Sequence, residues 1–394
     1  MKLVIDDNLP RNRMVLPLSM KHGFMIPDEI KFEIRFEGSS LIVGPVILLI
    51  LPEYYHEISH DLLTYCEAHL HHYEEINGLF VICRNSDIHV KSKKVNGYCY
   101  VLNKNKTKRW IKGSFPYPQA VFNRAKKLEP SLYNSLYDVI GDRLFNSDFI
   151  GKWKQYQLFT KHPLTRIHLP ETLNLTSRNV LDTMLSKYQM VYLKPHNSAN
   201  GKGIFTIEKN RYGYKIKDTN NKTVYFKVVS KALAYLKEKG VSRQYIVQQP
   251  VPYRYNNRNV DFRFYMQKNK TKSWTSPGFA AKISTEDSIN TNYQNREILL
   301  YGEDALKTLY QMNQSEIRKT VNDMFAVCKA ACEVIERQGV HLGDVAFDLI
   351  IDRNHKIWLL ELQIRYGRER SLPDQVFIKN MSTPIEYAKA LAGF

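Results

Sequence analysis

Two apolar runs near the C-terminus, joined by a short polar segment, predict a β-hairpin with two carboxylates on one face. The arms are residues 344–351 and 357–363, and the sequence Asp-Arg-Asn-His-Lys between them is typical of a turn. Side chains alternate between the two faces of a strand. A four-residue loop over 353–356 would place Asp348 directly opposite Glu361.

The facing carboxylates need a positive charge between them. Two carboxylates opposite each other in an apolar hairpin repel, and such a pair persists where a cation neutralises it. Gln363 shares the face of Glu361 and offers an amide oxygen. Mg²⁺ prefers oxygen ligands and usually keeps phosphate oxygens among them. The hairpin therefore predicts a Mg²⁺ site at Asp348, Glu361 and Gln363, with a nucleotide bound at the metal.

Composition is typical of a folded chain with anionic partners. The 394 residues are enough for two or three domains. A net charge of +18 favours nucleotides, nucleic acid, acidic polymers or membrane surfaces as partners, and serves solubility equally well. Five cysteines without a CxxC spacing indicate a reduced compartment. The start of the chain lacks the pattern of a secretory signal, and the longest apolar run, 41–51, is too short to span a bilayer. We expect a cytoplasmic protein without a membrane span.

The first third of the chain predicts a parallel sheet. Residues 41–51 and 78–83 are apolar enough for buried strands, and a His-rich helix over 57–75 would connect them in a β-α-β unit. Residues 120–123 form another short buried strand, and a domain boundary is expected near 112–145. In the remainder, strands dominate from 190 to 283. Helices are predicted over 129–140, 147–160 (with Ser147 as its cap), 176–187 and 314–338.

A strand over 190–194 ends in Lys194 and leads into a glycine-containing loop. Gly201 and Gly203 allow a backbone turn to expose N–H groups to an anion, and Lys194 and Lys202 add positive charge. The order strand–loop–strand and the absence of GxxxxGK[ST] exclude a Walker P-loop. An ordinary glycine hairpin is the competing interpretation.

Further cations and amides stand at strand ends. Gln248 and Gln249 end a buried strand and could bind an adenine edge, or simply precede Pro250. Arg263 shares a strand face with Asp261, so it either pairs with that carboxylate or binds a phosphate. Lys282 is a second cation for developing negative charge. Lys152, on a helix beside a tryptophan, is by itself typical of a surface residue.

Two other patterns compete for function. His56 and His60 form an HExxH motif, but the further ligands of a metzincin are absent, which favours a solvent-facing His-rich helix over a zinc protease. Residues 91–112 combine many lysines with Tyr98, Tyr100 and Trp110. Such a hairpin could bind nucleic acid, although a solvated basic hairpin is the commoner explanation, so we do not expect nucleic acid as a partner.

The ordered set of motifs resembles the ATP-grasp superfamily and, more closely, the YheC/YheD family of endospore coat-associated proteins. The similarity is strongest over 118–370. It is carried by Phe145-Asn146, Lys152-Trp153, residues 169–172, 193–195, 201–204 and 245–249, Asp261-Phe-Arg263, Gln267-Lys268, Trp274, Asp348 and residues 358–363.

The resemblance implies an α/β (α+β) ATP-grasp fold with an N-terminal Rossmann-like pre-ATP-grasp region. A small β segment would cover 1–40, the Rossmann-like domain 41–125 and the ATP-grasp domain 126–394, with the nucleotide between two lobes. The implied cofactors are ATP and Mg²⁺. The implied activity is that of an ATP-dependent carboxylate–amine ligase acting through an acylphosphate, with a carboxylate and an amine of unknown identity as substrates. Spore-coat proteins are implied as partners, with the spore coat as a second location beside the cytoplasm.

Residue roles follow from the same resemblance. Lys152 and Lys194 would flank the nucleotide; a flap over 198–203, including Ser198, Gly201, Lys202 and Gly203, would cover the phosphates; Gln248, Gln249 and Val251 would contact adenine. Arg263 and Lys282 would neutralise charge during catalysis, and Asp348, Glu361 and Gln363 would hold the metal. This sequence departs from the family pattern at Ser198-Ala199, at Gln363 where Asn is usual, and over 364–368. These departures favour the alternative of a nucleotide-binding or structural coat protein with weakened catalysis.

Overall fold

The computed structural model describes residues 23–53, 55–103, 105–125, 128–198, 201–251, 254–369 and 372–394. The predicted N-terminal β segment over 1–40 lies outside these residues up to position 22. The described part contains a two-stranded ribbon and three larger sheets, arranged along the chain as an N-terminal region, a small lobe and a C-terminal lobe. None of its helices is both long enough and apolar enough to cross a membrane.

The N-terminal region is built on a sheet whose central strands are parallel. Its strand order is β5-β6-β4-β3-β8-β9, with β7 paired to β6, and β3 is parallel to both β4 and β8. The elements are β1 (Glu33–Glu37), β2 (Ser40–Gly44), β3 (Val46–Leu51), α1 (His60–Glu67), α2 (Tyr73–Ile76), β4 (Leu79–Arg84), β5 (Ile88–His89), β6 (Lys94–Leu102), β7 (Lys108–Pro116), β8 (Ala120–Asn123), α3 (Pro130–Ile140) and β9 (Leu144–Phe145). The predicted β-α-β unit is therefore present, as expected for apolar strands buried on both faces.

Two predictions in this region are wrong in detail. The apolar run 41–51 is not one strand, because it divides at a cis Gly44–Pro45 bond into β2 of the ribbon and β3 of the sheet. Proline has no N–H for a strand ladder, which agrees with the break. The predicted helix over 57–75 starts only at His60, where Ser59 caps it, and is interrupted after α1.

The small lobe is an antiparallel sheet of order β10-β15-β11-β12-β13-β14 with helices on one face. Its elements and the helices that precede it are α4 (Lys152–Phe159), α5 (Pro163–Arg166), β10 (Thr172–Asn174), α6 (Arg178–Tyr188), β11 (Met190–Pro195), β12 (Phe205–Asn210), β13 (Gly213–Asp218), β14 (Thr223–Phe226), α7 (Val229–Glu238) and β15 (Tyr245–Gln248). Ser147 does not cap a helix. Its hydroxyl accepts from the N–H of His341 at 3.0 Å, and α4 begins after Gly151.

The C-terminal lobe is a second antiparallel sheet, of order β20-β19-β17-β21-β22, with short β16 and β18 also paired to β17. Its elements are β16 (Arg254–Tyr255), β17 (Arg258–Lys268), β18 (Trp274–Thr275), β19 (Phe279–Ser284), β20 (Arg296–Tyr301), α8 (Gly302–Leu309), α9 (Gln314–Glu336), β21 (Asp344–Ile351), β22 (Ile357–Gln363) and α10 (Asp374–Ala392). The last helix packs against the N-terminal sheet, where Ile385 and Ala388 share a core with Ile47. The predicted division at residue 125 and the Rossmann-like assignment stay predictions.

The acidic hairpin forms with the predicted pairing but a different loop. Asp348 lies opposite Glu361, whereas the strands close at Ile351 and Ile357, so the loop has one residue more than the predicted 353–356. The register is irregular after Asp348, where Leu360 has no partner on the opposite strand. This unpaired residue compensates for the longer loop, so Asp348 still lies opposite Glu361. An extra residue in one strand is a β-bulge.

Candidate active site

The small-lobe sheet and the C-terminal sheet face each other across a cavity of about 210 Å³. Because side chains alternate along strands, each sheet buries one face in its own core and turns the other to the cavity. From the small lobe, Lys194 on β11 and Gln248 on β15 reach the cavity. From the C-terminal lobe, Arg263, Asp348 and Glu361 do so.

Asp348 is held by two cations from neighbouring strands. Arg263 donates to both of its carboxylate oxygens, each at 3.0 Å, and Lys282 Nζ lies 3.1 Å from Oδ1. Burial raises the pKa of Asp348, but the charges of Arg263 and Lys282 outweigh burial and hold that pKa well below its usual range. Asp348 is therefore ionised. The alternative pairing of Arg263 with Asp261 is not found; Asp261 accepts from the Thr291 hydroxyl instead.

Glu361 is neutralised by a lysine on α4, a helix that is hydrogen-bonded to the hairpin strand β22 through Gln155 and Leu362. Lys152 Nζ lies 2.5 Å from its carboxylate and also donates to the carbonyl of Ser198 at 3.0 Å. The Gln363 amide donates to Glu361 and, at 2.9 Å, to Asp348. The amide thus links the two carboxylates, and Lys152 connects the hairpin to the start of the glycine loop.

Lys194 occupies the opposite wall. Its Nζ donates to Gln248 Oε1 at 2.7 Å, and the Gln248 amide donates to the Thr172 hydroxyl at 2.9 Å. Burial lowers the pKa of Lys194, and the nearby Lys152 acts in the same direction, while Glu361 opposes them. Two lysines with converging ammonium groups form a site that a polyanion would stabilise.

The glycine loop is closely packed where it is described. Gly201 has a φ of +69° and Gly203 a φ of +75°, a backbone conformation that L side chains rarely adopt. A Cβ at Gly201 would lie 1.5 Å from Nδ2 of Asn292, so a side chain there would have to displace that amide. Lys202 between the glycines is exposed. The positive φ angles are therefore the main reason for glycine at these two positions.

The two glutamines at the end of β15 are already hydrogen-bonded within the protein, and the N–H of Gln249 donates to the backbone carbonyl of Glu171 at 2.9 Å. Gln248 is committed to Lys194 and Thr172, and the side-chain oxygen of Gln249 accepts from the N–H of Glu171 at 2.7 Å. Val251 lines the cavity. If adenine binds here, as the resemblance implies, its edge would meet backbone groups rather than the glutamine amides.

Most residues predicted for the site surround this one cavity. Those that line it are Lys152, Lys194, Ser198, Gly201, Gln248, Gln249, Val251, Arg263, Asp348, Glu361 and Gln363. Lys202 and Gly203 do not line it, and Lys282 lies behind Asp348.

Sequence reasoning missed several polar residues of the cavity wall: Thr172, Asn259, Asn290, Asn292 and Arg365. The Nδ2 atoms of Asn290 and Asn292 are buried without a hydrogen-bond partner among the described residues. Asn259 shares a strand face with Asp261 and Arg263, so the alternation of β17 could have revealed it. The two asparagines in the loop after β19 carry no periodic signal.

The donor set at the hairpin fits a Mg²⁺ ion chemically, although no ligand group of three or more His, Cys, Asp or Glu residues occurs in the described ranges. Asp348 and Glu361 supply two neighbouring carboxylates. The orientation of the Gln363 amide is assigned from its hydrogen bonds. After a rotation of the amide, its oxygen would become a third ligand beside the two carboxylates. Within the protein, Arg263, Lys282 and Lys152 balance the charge of these two carboxylates.

The competing patterns find structural explanations. His56 precedes α1, which begins at His60, so the HExxH residues do not lie on one helix. Trp110 packs against Tyr100 and donates to Glu67 at 3.3 Å, so it is not free to stack on a base. The expected solvent-facing character of the His-rich segment fails at His69, which is buried and bonded to the Met381 carbonyl at 2.6 Å.

Comparison with known proteins gives relatives over most of the chain. Endospore coat-associated protein YheD of Bacillus subtilis (strain 168) is 25% identical over 373 residues, covering 90% of this chain and 80% of YheD. Endospore coat-associated protein YheC of the same organism is 21% identical over 237 residues, 57% of this chain and 64% of YheC.

Two solved structures match the chain at low identity and with TM-scores below 0.5. The VanG D-Ala:D-Ser ligase from Enterococcus faecalis is 10% identical with a TM-score of 0.49, over 87% of this chain and 98% of that one. D-alanyl-alanine synthetase A from Vibrio cholerae O1 biovar eltor str. N16961 is 12% identical with a TM-score of 0.44, over 88% and 97%.

Family membership rests on a match to a whole domain. A model described as YheC/D like ATP-grasp matches residues 141–391, which include both lobes and every residue predicted for the site. The match covers more than half of the chain. The protein therefore belongs to the YheC/D-like ATP-grasp family.

Proposed function

We propose that the protein binds MgATP in the cavity between the two lobes and joins a carboxylate to an amine. One observation carries this proposal: four cationic side chains, Lys152, Lys194, Arg263 and Lys282, surround the facing carboxylates Asp348 and Glu361. Preorganised cations beside ionised metal ligands suit phosphoryl transfer, in which charge moves but no protein nucleophile is needed.

Each lysine and arginine has a distinct part in the proposal. Lys152 and Lys194 approach from different elements and would bind phosphate oxygens, with Lys152 leaving Glu361 as a ligand enters. Arg263 lines the cavity and would neutralise charge on the transferred phosphoryl group. Lys282 is buried behind Asp348, so its part is to keep that carboxylate ionised and oriented. A bound Mg²⁺ would add charge neutralisation of the phosphates at Asp348, Glu361 and Gln363.

The proposed reaction has two steps. An oxygen of the substrate carboxylate attacks the γ-phosphorus, the bond to the β–γ bridging oxygen breaks, and ADP leaves. The acylphosphate carbonyl is then attacked by the amine nitrogen, phosphate leaves, and the nitrogen loses a proton. Specificity for the acid and the amine depends on the residues around the cavity rather than on the fold.

Calorimetry with MgATP, followed by an ADP-release assay with panels of carboxylates and amines, tests the proposal. Saturable MgATP binding and ADP release that requires both substrates are expected. Binding without turnover on any panel would favour the alternative, a nucleotide-binding coat component with weakened catalysis, which the glutamine at position 363 favours. Absence of MgATP binding would overturn both.

We also propose association with the endospore coat, which is supported by the names of the two B. subtilis relatives. Immunodetection of the protein in coat extracts from purified spores tests this. Recovery from the spore interior alone would contradict it.

A further inference from the structure

A second cavity, of about 530 Å³, adjoins the first and has a different chemistry. The two cavities share Tyr192, Val251, Asn259 and Ile289. Asp348, Glu361 and Lys152 do not line the second cavity. It therefore lies beside the first cavity, away from the carboxylates Asp348 and Glu361.

Four basic side chains reach this second cavity from both lobes. Lys215 and Lys217 lie two residues apart on β13, so they share the face of the small-lobe sheet that looks into the cleft. Arg254 comes from β16, and Arg353 comes from the loop of the acidic hairpin. An anion bound here would contact both lobes and the loop that joins β21 to β22.

Acidic residues balance only part of this charge. Glu208 lies 3.5 Å from Lys215, and Lys217 donates to the backbone carbonyl of Asp287 rather than to its carboxylate. Across the described ranges, neither the side chain of Arg254 nor that of Arg353 has a hydrogen-bond or ion-pair partner. The guanidinium groups that could bind an anion bidentately are therefore uncommitted.

Repulsion within the group indicates that an anion would stabilise it. Burial lowers the pKa of Lys217, and the charges of Lys215 and Arg254 lower it further against the opposing effect of Asp287. Burial raises the pKa of Tyr192, and the charge of Arg254 opposes this rise to a smaller extent. Arg254 therefore lies close to the shared wall of the two cavities. Exposed basic residues are common, but convergence from two lobes onto one cavity is not a property of a solvated surface.

We infer that this cavity is a second anion-binding subsite, which takes a phosphate group held by Arg254, Arg353, Lys215 and Lys217. The phosphate could be attached to the ribose of the nucleotide in the adjoining cleft, or belong to a separate molecule that binds beside it. The inference rests on the proposed nucleotide site for its first form and is independent of that site for its second.

Calorimetry on the full-length protein distinguishes the two forms. AMP and adenosine 3′,5′-bisphosphate test a ribose-linked phosphate, and pyrophosphate added to ATP-saturated protein tests a separate one. The variant is Arg254→Gln/Arg353→Gln. The matched control is Arg243→Gln/Arg318→Gln, which removes two exposed arginines that line neither cavity.

If the phosphate is linked to the ribose, wild type and control should bind the bisphosphate at least about tenfold more tightly than AMP, because one hydrogen bond to a charged group contributes on this scale. The Arg254/Arg353 variant should lose this preference. A separate phosphate predicts saturable pyrophosphate binding to ATP-loaded wild type and control, and not to the variant. The subsite is overturned if neither probe distinguishes wild type from the variant.

Failure of the nucleotide site gives a different result. If wild type does not bind MgATP, pyrophosphate is titrated alone into wild type, the Arg254/Arg353 variant and Lys152→Gln. Loss in the arginine variant but not in Lys152→Gln supports the subsite without the nucleotide site. Equal affinity of wild type and the arginine variant overturns it.

Discussion

Asp344 and Asp348 lie on the same face of β21, and each is paired with an arginine, yet their surroundings differ. The side chain of Asp344 is completely buried, whereas that of Asp348 keeps 11% of its surface exposed and lines the cleft. Similar ion pairs on one strand thus belong to a closed interior in one case and to an accessible cavity in the other.

Asp344 is surrounded by fixed partners. Arg368 donates to it at 2.7 Å, Gln267 at 2.7 Å and the hydroxyl of Tyr366 at 2.6 Å. These residues join β17, β21 and the segment after β22. The cluster also contacts α10, because Gln267 donates to the backbone carbonyl of Asn380 on that helix at 2.7 Å. These three partners are buried, so a change here leaves the charge of Arg368 without solvent to compensate it.

Asp348 has partners that a ligand can reach. Arg263 and Gln363 line the same cavity as Asp348, and Glu361 beside them is held by Lys152 from another element. A polyanion and a divalent ion entering together could exchange partners with these ion pairs without exposing a charge to an apolar interior. Access to the cavity, rather than the type of ion pair, separates the structural carboxylate of Asp344 from that of Asp348, which we propose as a metal ligand.

The largest expected effect is on folding. Asp344→Ala should lower the free energy of unfolding by about 3–5 kcal/mol, because it leaves Arg368 buried without its carboxylate. Chemical denaturation followed by circular dichroism measures this. Asp323→Ala, which removes an exposed partner of Lys319, serves as control and should change stability by less than about 1 kcal/mol. Equal effects of the two substitutions would contradict the conclusion that Asp344 is a buried structural carboxylate.

Glu361→Ala should mainly affect binding. Removal of this carboxylate takes away one predicted metal ligand and frees Lys152, so MgATP affinity should fall by about 100-fold or more, given that even outer-shell changes at metal sites reach that range. Calorimetry and thermal denaturation of the same preparation test this, with the exposed Glu238→Ala as control. Unchanged MgATP affinity, or a loss of stability as large as that of Asp344→Ala, would contradict the assignment.

Gln363→Asn tests how the length of the side chain at this position affects MgATP affinity. The Gln363 amide reaches both carboxylates, and a side chain shorter by one methylene would hold its oxygen farther from a metal bound between them. MgATP affinity should therefore fall by about tenfold, the lower end of the range for changes around metal sites. Calorimetry measures the affinity, and ADP release is followed beside it. Tighter binding or faster ADP release in the asparagine variant would show that glutamine weakens this site.

The facing carboxylates were predictable from the sequence because strand alternation and the apolar arms determine which side chains share a face. The pairing of Asp348 with Glu361 is confirmed, although the loop length behind it was wrong and a bulge restores the register. A bulge changes neither composition nor period enough to be seen in a sequence.

Partners that are distant in the chain were not predictable in the same way. Arg263 pairs with Asp348, 85 residues away, instead of with Asp261 on its own strand, because the adjacent strand β21 brings Asp348 directly opposite it. The packing of α10 on the N-terminal sheet is likewise a tertiary contact. Local patterns therefore predicted many of the elements, the patterns and the family resemblance together predicted several residues of the cavity, and the assembled sheets decided which charges pair.

The smallest expected effect is the contribution of Asp348 to acid sensitivity. Its pKa in the folded protein lies below the ordinary value of 3.8, so the unfolded chain binds the proton first as pH falls. The stabilisation is present above pH 5 and decreases as pH falls further, by about 1 kcal/mol between pH 5 and pH 3. Thermal denaturation over this range should show less acid sensitivity in Asp348→Asn than in wild type. Equal acid sensitivity of wild type and Asp348→Asn would mean that Arg263 and Lys282 do not keep Asp348 ionised. The difference between Asp344 and Asp348 would then need an explanation other than access to the cavity.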